Sequence, residues 1–131
     1  MSATYRALSG WLKVTGTVYA FGAVDYVARP RVAIVALNRG GGAPIEPEEP
    51  GLYNALAGAY MATIAALALS ASTDPEDRAA LIPPLLVGKA ASSAALLYRY
   101  FRTRRRGFAL AAALDAFLFG VTAGLSSDLR N

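Results

Sequence analysis

The sequence contains neither cysteine nor histidine. That double absence removes disulfides, iron–sulfur clusters, thiol redox chemistry and thiolate zinc sites. It also removes histidine ligation of haem, copper or chlorophyll-type pigments and every Ser/His/Asp or Cys/His catalytic constellation. Met61 is the only methionine after the first residue. If the chain belongs to a redox machine, it is not the part that holds the metals. Charge is scarce as well: Asp, Glu, Lys and Arg make up 17% of the 131 residues, against about 25% in an average soluble domain.

Apolar sequence is plentiful instead. Hydrophobic residues reach 55%, the mean hydropathy is +0.36, and the excess is concentrated in segments. "LYNALAGAYMATIAALALSAS", Leu52 to Ser72, is uncharged and long enough for a bilayer core, which takes roughly 20 residues. "GFALAAALDAFLFGVTAGL", Gly107 to Leu125, is similar but carries Asp115 at its middle. A third segment runs from about residue 80 to 101 and contains "IPPLLVGKAASSAALL", with Lys89 inside it. A fourth, weaker one covers residues 8–28, with Lys13 and Asp25 towards its ends. A soluble alanine-rich bundle would have to hide whole helices that have no polar face. The expectation is therefore one all-α domain over residues 1–131, an antiparallel four-helix bundle in a membrane. Its helices fall at about 8–28, 52–72, 80–101 and 107–125, with a cytoplasmic linker over 29–51. A cleaved signal peptide is not expected, because Lys13 interrupts the first apolar core. No lipidation signal is present in the sequence.

The linkers carry their own signals. Pro30 ends the first helix, and the Gly- and Pro-rich stretch from Asn38 to Pro50 continues no element. "RVAIVAL" is too short to span and reads as a segment on the membrane surface, with a strand as the alternative. Asp74–Pro75, followed by Glu76 and Asp77, has the form of a helix start. Pro83 and Pro84 remove the bonds to the carbonyls of Ala79 and Ala80, so the third helix kinks there or begins afresh. "RTRRRG" joins the third and fourth helices in a tight turn.

Arg99, Arg102, Arg104, Arg105 and Arg106 cluster at that turn, and Arg29, Arg31 and Arg39 lie in the first loop. Basic loops stay cytoplasmic, which places both termini outside the cytoplasm. Tyr26, Tyr53, Tyr98, Tyr100 and Phe108 then gather at the cytoplasmic side, and Tyr5 and Trp11 mark the outer surface. The basic patch suits anionic lipid headgroups. Nucleic acid is not expected as a partner, since no recognition fold accompanies the charge. Gly58, Ala62 and Ala66, and likewise Ala55 and Ala59, recur at four-residue spacing, which permits close helix packing.

Two motifs fail on inspection. Gly88–Lys89 is no phosphate loop, because Pro83 stands where its first glycine belongs and Ala90 where Ser or Thr belongs. "RGGGAP" lacks the flanking strand and helix, and Glu46, Glu48 and Glu49 read as a solvated acidic loop rather than a cation site. Lys89 and Asp115 remain. Asp115 lies roughly 12 Å above the start of its helix at Gly107, and Lys89 roughly 13 to 18 Å above the same side. The two helices are neighbours, so the charges are expected as an intramembrane ion pair. Ser92 and Ser93, on the face of Lys89, and Thr122, on that of Asp115, are candidate supporting hydrogen-bond partners. A lone charge at the membrane centre costs at least about 2.5 kcal/mol, and pairing avoids most of that.

The pattern "LYNALAGAYMATIAAL…TDPEDRAALIPPLLVGKAASSAALLYRYF…FALAAALDAFLF" resembles small four-helix bacterial membrane proteins of the DoxX-like kind. The likeness covers the last three helices: an aromatic-led second helix, a "DP" turn, a lysine-bearing third helix and an aspartate-bearing fourth. It implies a bacterial cytoplasmic (inner) membrane and an accessory role beside quinol-oxidising complexes, and it assigns no catalytic residue. The expected function is a non-catalytic accessory subunit of a larger, bioenergetic membrane complex. Its partners are other membrane subunits and anionic lipids; no cofactor is held by His or Cys, and lipid or quinone contact is compatible. The alternative is a small transporter or quinone-linked redox subunit using Lys89 and Asp115.

Overall fold

Residues 2–29 and 50–127 are described by a computed structural model. Four α-helices carry them: α1, Ala3–Ala28; α2, Pro50–Thr73; α3, Ile82–Thr103; and α4, Arg106–Ser127, with a short 3₁₀ turn at Ala79–Leu81. The linker lies outside the described residues. With it go the "RVAIVAL" stretch, Arg31, Arg39 and the glutamates Glu46, Glu48 and Glu49.

Local chemistry sets the helix ends. Ser2 caps α1, its hydroxyl accepting the Tyr5 N–H at 3.2 Å; this start is earlier than the apolar run alone suggests. At the other end the Arg29 N–H bonds the Asp25 carbonyl at 2.8 Å. Pro30 follows and biases the residue before it away from helix. The last carbonyls of α2 are covered by its own hydroxyls and by Arg78, whose Nη1 donates to Ser70 O at 3.1 Å.

The Asp74–Pro75 signal does not start a helix, contrary to its pattern. Asp74 Oδ1 accepts the N–H groups of Glu76 and Asp77 at 3.2 and 3.1 Å, a turn closed by one side chain. The reason lies downstream. Pro83 and Pro84 cannot donate into a helix arriving from residue 75, so α3 begins afresh at Ile82. There both prolines occupy the first turn, where N–H groups have no intrahelical partner anyway. At the far end α3 stops at Arg104, which adopts the left-handed conformation at φ 55°. Its N–H reaches Tyr100 O at 2.6 Å, and α4 starts two residues later.

α1 packs most extensively on α2 and α3 on α4, with lesser contacts joining α1 to α4 and α2 to α3. Glycine allows the first pair its close approach: a Cβ on Gly16 would meet Leu69, one on Gly22 Met61, and one on Gly58 Val27. Residue numbers rise on α1 as they fall on α2. The start of α1 therefore meets the end of α2 (Ser9 to Ser72) and the end of α4 (Trp11 to Thr122). This is called the terminal end below, and the other the arginine-turn end. The small-residue stripe of α2 divides: Gly58 faces α1, whereas Ala55, Ala59, Ala62 and Ala66 are exposed. The alanines that pack are Ala65, Ala68 and Ala71. Alanine is so common here that four-residue spacing alone could not select the face.

Polar side chains share the interior with the apolar core, and large apolar side chains lie on the outside. Ser9, Thr15, Ser72, Lys89, Asp115, Thr122 and Ser126 are buried, while Val18, Phe21, Val87, Leu114 and Phe117 are exposed, Phe21 to 71%. Three helical stretches are long and apolar enough to cross a membrane: Ala55–Thr73, Ala79–Thr103 and Arg106–Ser127. The weaker fourth segment, α1, is not among them. Lys13, Asp25 and a run of Thr, Gly and Tyr residues dilute it.

Candidate functional site: a buried carboxylate and its donors

Each helix turns a stripe at three- and four-residue spacing toward the interior. On α3 it runs Ile82, Leu85, Lys89; on α4, Ala112, Asp115, Leu118, Thr122; on α1, Leu8, Leu12, Thr15, Tyr19. Such a stripe keeps one face toward its neighbours along the whole contact. Both charges fall on these stripes, and the helices bring them together. Lys89 Nζ lies 3.1 Å from Asp115 Oδ1, with Lys89 1% and Asp115 6% exposed.

Asp115 is the hub. Its Oδ1 also accepts the hydroxyl of Tyr19 from α1, and its Oδ2 accepts Ser92 Oγ from α3 at 2.5 Å. Charge-assisted bonds of this kind are roughly twice as strong as neutral ones. Tyr19 serves both charges, because Lys89 Nζ also sits 3.2 Å from its ring centroid, over the negative face of the π system. One carboxylate thus ties three helices together. The backbone beside Lys89 is held as well: Tyr60 on α2 donates its hydroxyl to Gly88 O at 3.0 Å.

The other expected partners stand at a remove. Ser93 does not touch the pair; it donates to Ala112 O at 3.0 Å, a second tie between α3 and α4. Thr122 does not reach Asp115 either. It donates to Leu118 O at 2.8 Å and accepts the Trp11 indole N–H at 3.0 Å. Seven residues along α4 correspond to about 10.5 Å, too far for contact. Trp11 is accordingly part of the packing near the terminal end, and it meets Phe117 edge-on at 6.1 Å between centroids. Arg99 and Arg102 lie on the last turns of α3, Arg104 and Arg105 form the connection, and Arg106 opens α4. The Arg104 guanidinium lies 5.9 and 5.7 Å from the Tyr100 and Phe101 ring centroids.

Sequence reasoning missed Tyr19. A signal existed: Leu8, Leu12, Thr15 and Tyr19 repeat at spacings of four, three and four. Among the described residues no three acidic side chains converge as a metal site would require. The chain matches no protein-family model, no curated protein and no solved structure, so the DoxX-like resemblance rests on sequence pattern alone. Chemically, the arrangement neutralises a carboxylate and an ammonium inside an apolar shell and links them through O–H groups.

Proposed function

We propose that the chain is a non-catalytic accessory subunit of a larger bioenergetic membrane complex, built as an antiparallel four-helix bundle in a bacterial cytoplasmic membrane. The observation that carries this reading is the anchoring of Asp115: Lys89, Tyr19 and Ser92 all donate to it, from two other helices. A carboxylate so held fastens a bundle; a carrier site needs a group free to exchange partners. α1 counts as the fourth span despite its lower hydropathy, because Tyr19 has to lie at the depth of Asp115 and Lys89. Four spans put both basic loops on one side, and the arginine bias then sets both termini outside. The arginine turn meets anionic headgroups on the inner side. The apolar exterior suits lipid and neighbouring subunits, and the DoxX-like pattern points to the same accessory role.

The competing reading, a small transporter or quinone-linked redox subunit, draws on one feature: a tyrosine, an aspartate and a lysine in hydrogen-bond contact are also the parts of a proton relay. The test is purification in mild detergent with mass spectrometry of co-purifying subunits, beside proton-flux measurement in proteoliposomes. A stoichiometric partner that also assembles with the Lys89→Ala/Asp115→Ala variant supports the accessory reading. Flux by the protein alone, lost in that variant while folding persists, overturns it.

A further inference from the structure

The buried hydroxyls are unevenly placed about the Lys89–Asp115 pair. Ser9, Thr15, Ser72, Thr122 and Ser126 are all buried, and all lie between the pair and the terminal end. Toward the arginine turn the hydroxyls near the pair are half-buried: Ser92, Ser93 and Tyr60, which donate to Asp115 Oδ2, Ala112 O and Gly88 O. On the terminal side four of the five hydroxyls are accounted for. Ser9 donates to Ser72 O, Ser72 to Leu69 O, Thr122 to Leu118 O and Ser126 to Ala123 O.

Thr15 is different. Its Oγ1 is fully enclosed and has no hydrogen-bond partner, with the residue 2% exposed. The usual escape is not taken: Thr63, Thr103 and Thr122 each donate to the carbonyl four residues earlier, at 2.9, 2.7 and 2.8 Å, and Thr15 does not. Thr15 lies one helical turn from Tyr19 and one from Trp11, between the Tyr19–Asp115 and Trp11–Thr122 ties. The pair has unused capacity facing the same interior. Among the described residues Lys89 Nζ makes one hydrogen bond, to Asp115, although an ammonium has three donors; Asp115 Oδ2 accepts only Ser92, although a carboxylate oxygen has two lone pairs. An enclosed hydroxyl, spare ammonium donors and a spare carboxylate lone pair are what a buried water needs, since such waters make two to four bonds to otherwise unsatisfied groups.

We propose that Thr15 holds bound water that joins its hydroxyl to the Lys89–Asp115 pair. The inference goes beyond the accessory role.

The test uses the full chain in lipid bilayers and water-edited solid-state NMR, which reads magnetisation passing from water to individual residues. Signals of Thr15, Thr122 and the Lys89 side chain are expected to build up at least threefold faster than those of Ile64 and Leu85. In Thr15→Val, a near-isosteric change, transfer to Lys89 should fall at least twofold and the melting temperature should drop. Thr15 building up no faster than Ile64 overturns the water. Unchanged transfer to Lys89 in Thr15→Val overturns the link to the pair. A raised melting temperature in Thr15→Val also counts against the proposal, because it marks a hydroxyl that stood dry. Should that variant fail to fold, the wild-type spectrum decides alone.

Discussion

Removing the members of the ion pair one at a time, and then together, separates what each contributes. Asp115→Ala leaves the Lys89 ammonium, the Tyr19 hydroxyl and the Ser92 hydroxyl without their acceptor. Lys89→Ala leaves a carboxylate that keeps two hydroxyl donors. Breaking a buried pair from one side costs about 3–5 kcal/mol. Asp115→Ala is therefore predicted at about 5 and Lys89→Ala at about 3 kcal/mol within that range. In the double variant no charge stays buried, and the remaining loss is a cavity plus two orphaned hydroxyls. The double loss should fall well below the sum of the singles, giving a coupling of at least about 2 kcal/mol. Filling the space with Lys89→Met and Asp115→Leu should return stability toward that of the parent. Exchanging the two residues should be tolerated better than either single change, though imperfectly, since the side chains differ in reach. Tyr19→Phe adds an internal check: it keeps the ring under Lys89 and removes only the O–H, at a cost of about 1.5–3 kcal/mol. In an Asp115→Ala background the same change should be neutral or stabilising. The assay is reversible unfolding in bicelles or mixed micelles. Additivity of the Lys89 and Asp115 changes within about 0.5 kcal/mol would refute the coupling.

Further predictions concern the packing and the topology. Gly16→Ala should destabilise by about 1–3 kcal/mol, because its Cβ would meet Leu69 Cγ at 2.6 Å and the Leu69 backbone nitrogen at 3.1 Å. Gly120→Ala, where a Cβ meets nothing within 4 Å, should instead gain up to about 1 kcal/mol of helix propensity; the same unfolding titration reads both. Trp11→Phe should cost about 1 kcal/mol, since Thr122 keeps its bond to Leu118 O, and an equal loss in a Thr122→Val background would show that the indole bond is not its source. Cysteines introduced at Ser2 and Asn131 should react with an impermeant thiol reagent from outside intact cells, and one at Thr103 should not. Labelling of Thr103 from outside would reverse the orientation.

The meeting of Lys89 and Asp115 was legible because α3 and α4 are joined by a two-residue connection. When two helices leave one turn, residues can be counted from a shared origin, and 1.5 Å per residue gives comparable depths. Ser92 follows from the same count, one turn beyond Lys89 on the same stripe. Tyr19 had no such origin. Its helix connects to α2 through a long Gly- and Pro-rich linker, so no count along the chain gives its depth relative to Asp115. A sequence rich in tyrosine and apolar runs also invites an interfacial reading of its aromatics, which draws attention away from Tyr19 as a buried donor. The helix start at Asp74–Pro75 failed for a different reason. The side chain that caps a helix also closes a short turn, and only the proline pair farther on decides between them. Length and apolarity sufficient to cross a membrane were legible in α2, α3 and α4 from hydropathy alone, but α1 dilutes that signal with Lys13, Asp25 and the polar residues it turns inward.

The interior mixes small residues with larger aliphatics such as Leu8, Leu12, Ile64, Ile82 and Leu85. Ala65, Ala68 and Ala71 on α2 offer similar surfaces at successive turns, so neighbouring registers there differ little in packing. The charges differ a great deal. Sliding α3 by one turn along α4 displaces Lys89 Nζ by about 5.4 Å, far enough to break its contact with Asp115 and strand both groups among apolar atoms. Ser92 would leave Oδ2 in the same step, and a comparable slip of α1 would withdraw Tyr19. Desolvation makes a buried pair a weak source of net stability. The same desolvation penalises every arrangement in which the pair is apart, so its effect is exerted on the competing registers. The pair thereby sets the register of α3 against α4, and losing both partners should cost well under the sum of losing each.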